Sequence, residues 1–129
     1  MYVDASGILA VLLAEPERDA MLQRLAVSRR RVTSVATMFE AVLALARKTG
    51  DRQNAPRQVR QFLRMADVEI VPVEVASSDF LIEAFQKYHR GSGHAARLNF
   101  GDCITYAVAK ALGLKILYKG DDFAHTDMA

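Results

Sequence analysis

Four short runs suited to β-strands, separated by segments long enough for helices, constrain this chain more than any other feature. They are Tyr2-Val3, Arg31 to Val35, Val68 to Val75 and Lys115 to Tyr118. Tyr2-Val3 is too short to stand alone as a strand. The polar turn Asp4-Ala5-Ser6-Gly7 and the apolar run Ile8 to Leu13 behind it complete a strand, turn and helix. Strands that alternate with helical crossovers cannot pair as hairpins, so the sequence predicts a parallel sheet covered on both faces.

The helical segments carry their own start and stop signals. Glu15-Pro16-Glu17 interrupts the first and opens a second that runs to about Val27, since proline is tolerated in a helix's first turn and acids favour that end. Thr33 or Ser34 is placed to cap a third, in which Val35, Phe39, Val42, Leu43 and Ala46 recur at helical spacing as a core stripe, with Glu40 off its centre. Gly50-Asp51 ends it. Asn54-Ala55-Pro56 starts a fourth with Val59, Phe62, Leu63 and Ala66 on one face, and Ser77-Ser78-Asp79 caps a fifth carrying Phe80, Leu81, Ala84, Phe85 and Tyr88. After the connection Gly91-Ser92-Gly93, Asn99-Phe100-Gly101-Asp102 precedes a small-residue helix from Cys103 to Leu112, closed by Gly113 where a left-handed cap is expected.

With 129 residues the chain suits one compact domain spanning 1–129, and a 51% hydrophobic composition excludes a disordered or fibrous protein. A formal charge of +2 is too small to prove a nucleic-acid partner. The arginines are nevertheless clustered: Arg29-Arg30-Arg31 is one run, and Arg47, Lys48, Arg52, Arg57, Arg60 and Arg64 form a looser one. Arg57, Arg60 and Arg64 share a helical face, as solvated residues or phosphate contacts would. The single cysteine, Cys103, excludes an intrachain disulfide and suits a reducing compartment. The first residues lack a basic leader, and no segment has the roughly 20 apolar residues needed to cross a bilayer, so a cytoplasmic protein without a membrane partner is expected.

Parallel sheets present functional groups at the carboxyl ends of their strands. Asp4 follows the first strand and Asp121-Asp122 the last, while Glu40 and Asp102 sit on helices behind other crossovers. Gathering such acids is costly, because two charges about 4 Å apart repel by roughly 4 kcal/mol at an effective dielectric of 20. A cation would remove that cost, and oxygen-only ligands suit Mg²⁺ or Mn²⁺. Such an ion polarises a phosphoryl oxygen and lowers the pKa of water, which points to phosphodiester hydrolysis. The plainer alternative is that Asp4 and Asp102 cap helices and Glu40 is solvated. Against it, Glu40 and Asp102 are set in otherwise apolar helix, and buried acids need partners. His89, His94 and His125 lack zinc-ligand spacing, and Cys103 has no paired histidine motif.

Four motifs together resemble the PIN-domain ribonucleases, and among them the VapC-type toxins of bacterial toxin–antitoxin pairs. They are Val3-Asp4-Ala5-Ser6, Ser34 to Glu40, Leu98-Asn99-Phe100-Gly101-Asp102-Cys103 followed by Tyr106-Ala107, and Gly120-Asp121-Asp122-Phe123. The last two are the specific ones, and the resemblance covers nearly the whole chain. It implies a three-layer α/β/α sandwich around a central parallel sheet, in which acids bind Mg²⁺ or Mn²⁺ and RNA is cut. Position by position it implies Asp4, Glu40, Asp102 and Asp122 as catalytic metal ligands. Asp122 is preferred to its neighbour Asp121 because it directly precedes Phe123. Ser6 matches a supporting hydroxyl and Asn99 a residue bracing the loop, and the closing His125-Thr126-Asp127 matches a structural segment.

The resemblance also implies an antitoxin that fills an apolar groove between the early helices, and a homodimer. Two other readings compete with a toxin endoribonuclease. One is a PIN-fold RNA-binding or scaffold module without catalysis, against which the presence of all four acids argues. The other is phosphoryl transfer through Asp4 as covalent nucleophile, which lacks a second aspartate two residues on to act as general acid.

Overall fold

A computed structural model describes residues 1–129. Its sheet holds four strands, β1 (Tyr2–Val3), β2 (Val32–Ser34), β3 (Glu69–Val71) and β4 (Ile116–Leu117), all parallel, in the order β3-β2-β1-β4. Tyr2 is opposite Val32 on one side and Ile116 on the other. The helices are α1 (Ala5–Leu12), α2 (Arg18–Ala26), α3 (Val35–Thr49), α4 (Ala55–Met65), α5 (Ser78–Tyr88) and α6 (Phe100–Ala111), with one 3-10 turn at Val75–Ser77.

Alternation along the strands produces the three layers. Val3 and Leu117 point to one face, where they join Ile8 and Val11 of α1, Met21 and Leu25 of α2, Ala41 and Leu45 of α3, and Val59 and Leu63 of α4. Tyr2, Val32, Val71 and Ile116 point to the other, against Ala84 and Tyr88 of α5 and Tyr106, Val108 and Ala109 of α6. Side chains buried on both faces explain why β1 and β4 are apolar throughout. The result is the three-layer α/β/α sandwich expected from the sequence.

Two stretches differ from that expectation. The strand expected over Val68 to Val75 pairs only from Glu69 to Val71, and beyond it Val73 and Val75 are exposed before the 3-10 turn begins. β-propensity at Val73 and Val75 has no partner to satisfy it, because β2, the one neighbour of β3, ends at Ser34 opposite Val71. Of the core stripe expected on α3, only Val42 and Ala46 pack against the core, both partly buried. Thr37, Ala41 and Leu45 face inward, whereas Val35, Phe39 and Leu43 are exposed. The α4 stripe is as expected, with Val59, Phe62 and Leu63 buried, and so are the left-handed glycines Gly50 and Gly113. Ser77 precedes α5 without accepting a side-chain cap hydrogen bond, unlike the cap expected there, while Ser34 caps α3 by accepting from the Thr37 N–H at 3.1 Å.

The α3 phase is directly testable. Leu45 is 1% exposed and Leu43 53%. Leu45→Ala should lower unfolding free energy by about 2–5 kcal/mol, the range for a buried leucine, and Leu43→Ala by less than about 1. Urea denaturation of the two variants measures both, and equal losses would mean that the helix is turned otherwise.

Candidate active site

The strand order reverses beside β1, since β2 lies on one side and β4 on the other, and crevices form outside the carboxyl ends at such a point. Asp4 stands there because its backbone N–H donates to the Leu117 carbonyl at 3.0 Å, which carries the β1–β4 pairing one residue further. The residue is buried and caps α1. Its Oδ2 accepts from the Ser6 N–H at 3.0 Å and from the Ser6 hydroxyl at 2.5 Å, while its Oδ1 accepts from the Thr105 hydroxyl at 2.7 Å. Ser6 in turn accepts from the Lys119 N–H at 3.0 Å. One serine therefore joins the first acid to the loop that carries Asp121 and Asp122.

Asn99 and Asp102 cap α6 reciprocally. The Asn99 side chain accepts from the Asp102 N–H at 2.8 Å, and the Asp102 carboxylate accepts from the Asn99 N–H at 2.9 Å through Oδ2. Asn99 thus braces the loop, as expected, and Asp102 is buried with no hydrogen bond recorded at Oδ1. Glu40, half-buried on α3, reaches the start of α6. A Cβ on Gly101 would lie 2.6 Å from Glu40 Oε1, so glycine lets that carboxylate rest against the start of α6, where a larger residue would push it aside. Asp121 and Asp122 are exposed, on a loop fixed by fully buried Phe123, whose carbonyl accepts from the Thr126 hydroxyl at 2.8 Å.

Electrostatics link these acids more clearly than direct contact does. Burial, with the charges of Asp4 and Asp102 added to it, raises the Glu40 carboxyl from 4.5 to about 7. Asp102 is raised from 3.8 to about 6, chiefly by burial and also by the charges of Asp4 and Asp122, against the opposing effect of the Asn99 N–H. Asp4, Glu40, Asp102 and Asp122 therefore form one electrostatic group, with Asp121 alongside. No trio of Asp, Glu, His or Cys side chains lies close enough to hold one ion by itself. An ion that keeps most of its waters needs only one or two carboxylates, and an all-oxygen set of mutually repelling acids fits Mg²⁺ or Mn²⁺.

Several residues that the sequence did not single out serve the site. Thr105 bonds Asp4 and lies 3.4 Å from Thr37 Oγ1; Thr37 lies 2.6 Å from the Tyr2 hydroxyl, which donates to Ser34 Oγ at 2.9 Å. This buried chain of hydroxyls backs the first acid. Its one legible signal was that Thr105 stands three residues after Asp102, on the same face of α6. The basic residues near the acids are Arg90 and Arg97, which line a cavity of about 460 Å³ with Asp121, Asp122 and His125.

The conspicuous run Arg29-Arg30-Arg31 lies instead at the amino ends of β2 and β3, with Arg64, Asp67 and Glu69. There Arg31 satisfies the carbonyls of Ser28, Ala26 and Ala66. His94 braces its own loop by accepting from the Ala96 N–H at 3.1 Å. Cys103 is buried, which pushes its thiol up to about 11 and away from nucleophilic use.

Acids held above their ordinary values favour the folded state at low pH. Their stabilisation is complete below the unfolded values of 4.5 and 3.8 and is lost as pH rises through about 7 and about 6. In chelator, the melting temperature should fall between pH 5 and pH 7.5, and Glu40→Gln should flatten that fall. Mg²⁺ should raise melting more at pH 7.5 than at pH 5. Calorimetry in chelator and in Mg²⁺ reads both, and a slope unchanged by Glu40→Gln would break the proposed coupling.

Comparison with known proteins agrees with this geometry. The PIN domain family matches residues 1–128. The VapC ribonuclease Mb0640 of Mycobacterium bovis is 33% identical over 129 residues, covering 100% of this chain and 96% of the relative. Ribonuclease VapC42 of Mycobacterium tuberculosis is 34% identical over 128 residues, covering 99% and 96%. VapC ribonuclease R02377 of Rhizobium meliloti is 33% identical over 139 residues, covering 98% of each. Among solved structures, VapC20 of Mycobacterium tuberculosis, described as a sarcin–ricin loop cleaving toxin, superposes with a TM-score of 0.72 at 20% identity, over 95% of this chain and 92% of that one. That last likeness concerns the fold, whereas the sequence relatives extend end to end: the chain belongs to the PIN-domain family and, within it, to the VapC ribonucleases.

Proposed function

We propose that this chain is a metal-dependent endoribonuclease, acting as the toxin of a toxin–antitoxin pair, with Asp4, Glu40, Asp102 and Asp122 as its catalytic metal-binding acids. The observation that carries the reading is the electrostatic coupling of these four acids at the reversal point of the sheet. A divalent cation bound there supplies a Lewis acid that activates water and offsets charge on the phosphate. The protein supplies orientation. Ser6 and Thr105 fix both oxygens of Asp4, the Asn99 N–H fixes one oxygen of Asp102, and Gly101 admits Glu40. Asp4 Oδ2 already accepts two hydrogen bonds, but Asp4 Oδ1 and Asp102 Oδ2 accept one each and retain a second lone-pair direction, so capping and ligation are compatible at those atoms.

Two surfaces support the partners. Val11, Leu12, Leu22, Phe62, Met65 and Ala66 line a cavity of about 510 Å³ between α1, α2 and α4, with Arg18 among its polar residues. It suits the apolar segment of an antitoxin, the partner that VapC relatives suggest. Self-association has the exposed Val35, Phe39 and Leu43 of α3 at its disposal. No helix is long and apolar enough to cross a membrane.

The test is cleavage of a structured RNA pool by purified protein in Mg²⁺ or Mn²⁺, with and without chelator. Chelator should abolish cutting, and Asp4→Asn should reduce it at least about a hundredfold, as expected when a charge-stabilising group leaves an active site. Asp122→Ala should cost more than Asp121→Ala, because the charge of Asp122 acts on Asp102. Equal cutting by wild type and Asp4→Asn would sink the assignment, and RNA bound but never cut would favour a binding module.

A further inference from the structure

We propose that Arg90 and Arg97 form a cradle for a backbone phosphate of single-stranded RNA next to the acidic crevice, an assignment that rests on the ribonuclease reading. The two arginines share a cavity of about 460 Å³ with Asp121 and Asp122. Its other lining includes the small side chains of Ala95 and Ala96, which leave room for a ligand. Neither guanidinium forms an ion pair, although two aspartates line the same space. The one side-chain hydrogen bond recorded for the pair runs from Arg90 Nε to the Arg97 carbonyl at 3.4 Å. The forks of both side chains are therefore free to bind a phosphate bidentately.

The cradle is also close enough to the acids to matter. Arg90 and Arg97 line one cavity with Asp121 and Asp122, on the loop after β4 that borders the crevice. Within the cavity the two arginines offset the two aspartates, so a polyanionic strand is not repelled on its way to the crevice. The densest basic run cannot take this part. Arg29, Arg30 and Arg31 stand at the opposite end of the sheet.

The loop that presents the arginines is tied down rather than loose. The Arg90 N–H donates to the Leu98 carbonyl at 3.0 Å and the Leu98 N–H to the Tyr88 carbonyl at 2.8 Å. His94 packs edge-on to Tyr88 with ring centroids 4.9 Å apart. Arg97 has φ +51°, a left-handed conformation that glycine adopts at no steric cost and arginine does not.

Anisotropy titration of a labelled, unstructured oligoribonucleotide in chelator, over a series of salt concentrations, tests the proposal without cleavage. Arg90→Ala and Arg97→Gly should each weaken binding about tenfold, the effect of losing a charge-assisted contact. Each should also reduce the slope of log affinity against log salt by about 0.7, the value for one phosphate contact on a single strand. Arg90→Lys, which keeps the charge, should preserve the slope while losing affinity. Arg97→Gly should melt no lower than wild type, so loss of binding with retained stability separates a ligand contact from a structural one. Arg60→Ala, on the exposed face of α4, serves as the control for removal of one charge.

In Mg²⁺ the Arg90 and Arg97 variants should raise KM with kcat within about twofold of wild type. Wild-type affinity and salt slope in both Arg90→Ala and Arg97→Gly, with wild-type protein still cutting RNA, would overturn the cradle and leave the ribonuclease reading intact. Wild-type protein that neither binds nor cuts RNA would overturn both.

Discussion

The hydrogen bond from the Thr105 hydroxyl to Asp4 is the contact on which the crevice depends. It joins residues 101 positions apart and ties the end of β1 to the middle of α6. Asp4 is buried, and a buried carboxylate persists only where donors replace the water it has lost. Three donors do so here: the Ser6 N–H, the Ser6 hydroxyl and the Thr105 hydroxyl. Through them Asp4 fixes α1, the loop after β4 and α6, and through Thr37 it reaches α3. Every element that contributes an acid is thus registered against the first one.

This arrangement explains why a stable fold can carry a destabilised cluster. Glu40 and Asp102 hold protons more tightly than ordinary carboxyls because they are buried near Asp4, not because they lack support. The support lies elsewhere, in the two apolar faces of the sheet and in polar ties distant from the crevice. Lys110 is one such tie. It donates to Glu83, Asp127 and the Tyr106 hydroxyl, which clamps the closing segment onto α5 and α6. The segment containing Thr126 and Asp127 is structural for that reason, as its resemblance to the family's closing segment implied.

What could be read from the sequence followed the range of the interaction. Asp4 and Asn99-Phe100-Gly101-Asp102 were legible because capping is local: residues two or three apart satisfy the first amides of a helix. Gly113 was legible because its left-handed φ of 65° depends on its own residue type. The α3 stripe was misread because Val35, Phe39 and Leu43 have the helical spacing of a core yet remain exposed, whereas Thr37 is buried for its hydroxyl. Apolar period alone cannot distinguish a face against the sheet from an unpartnered one. The roles of Tyr2, Thr37 and Thr105 behind the first acid were not legible because the hydroxyl contacts that link them, Tyr2 to Thr37 and Thr105 to Asp4, span 35 and 101 residues.

The basic residues show the same limit from the opposite side. Density along the chain favoured Arg29-Arg30-Arg31, but the parallel topology sends the amino ends of β2 and β3 away from the carboxyl-end crevice. Arg31 spends its donors on backbone carbonyls, and Arg30 lies 3.6 Å from Glu69. Arg90 and Arg97, seven residues apart and unremarkable as sequence, meet because Leu98 pairs back onto Tyr88 and His89 to close the loop between them. Charge relevant to the site is set by which strand end a residue follows, not by how many neighbours share its sign. A search for RNA contacts in such a fold therefore starts from the loops around the acids and reaches the surface arginines last.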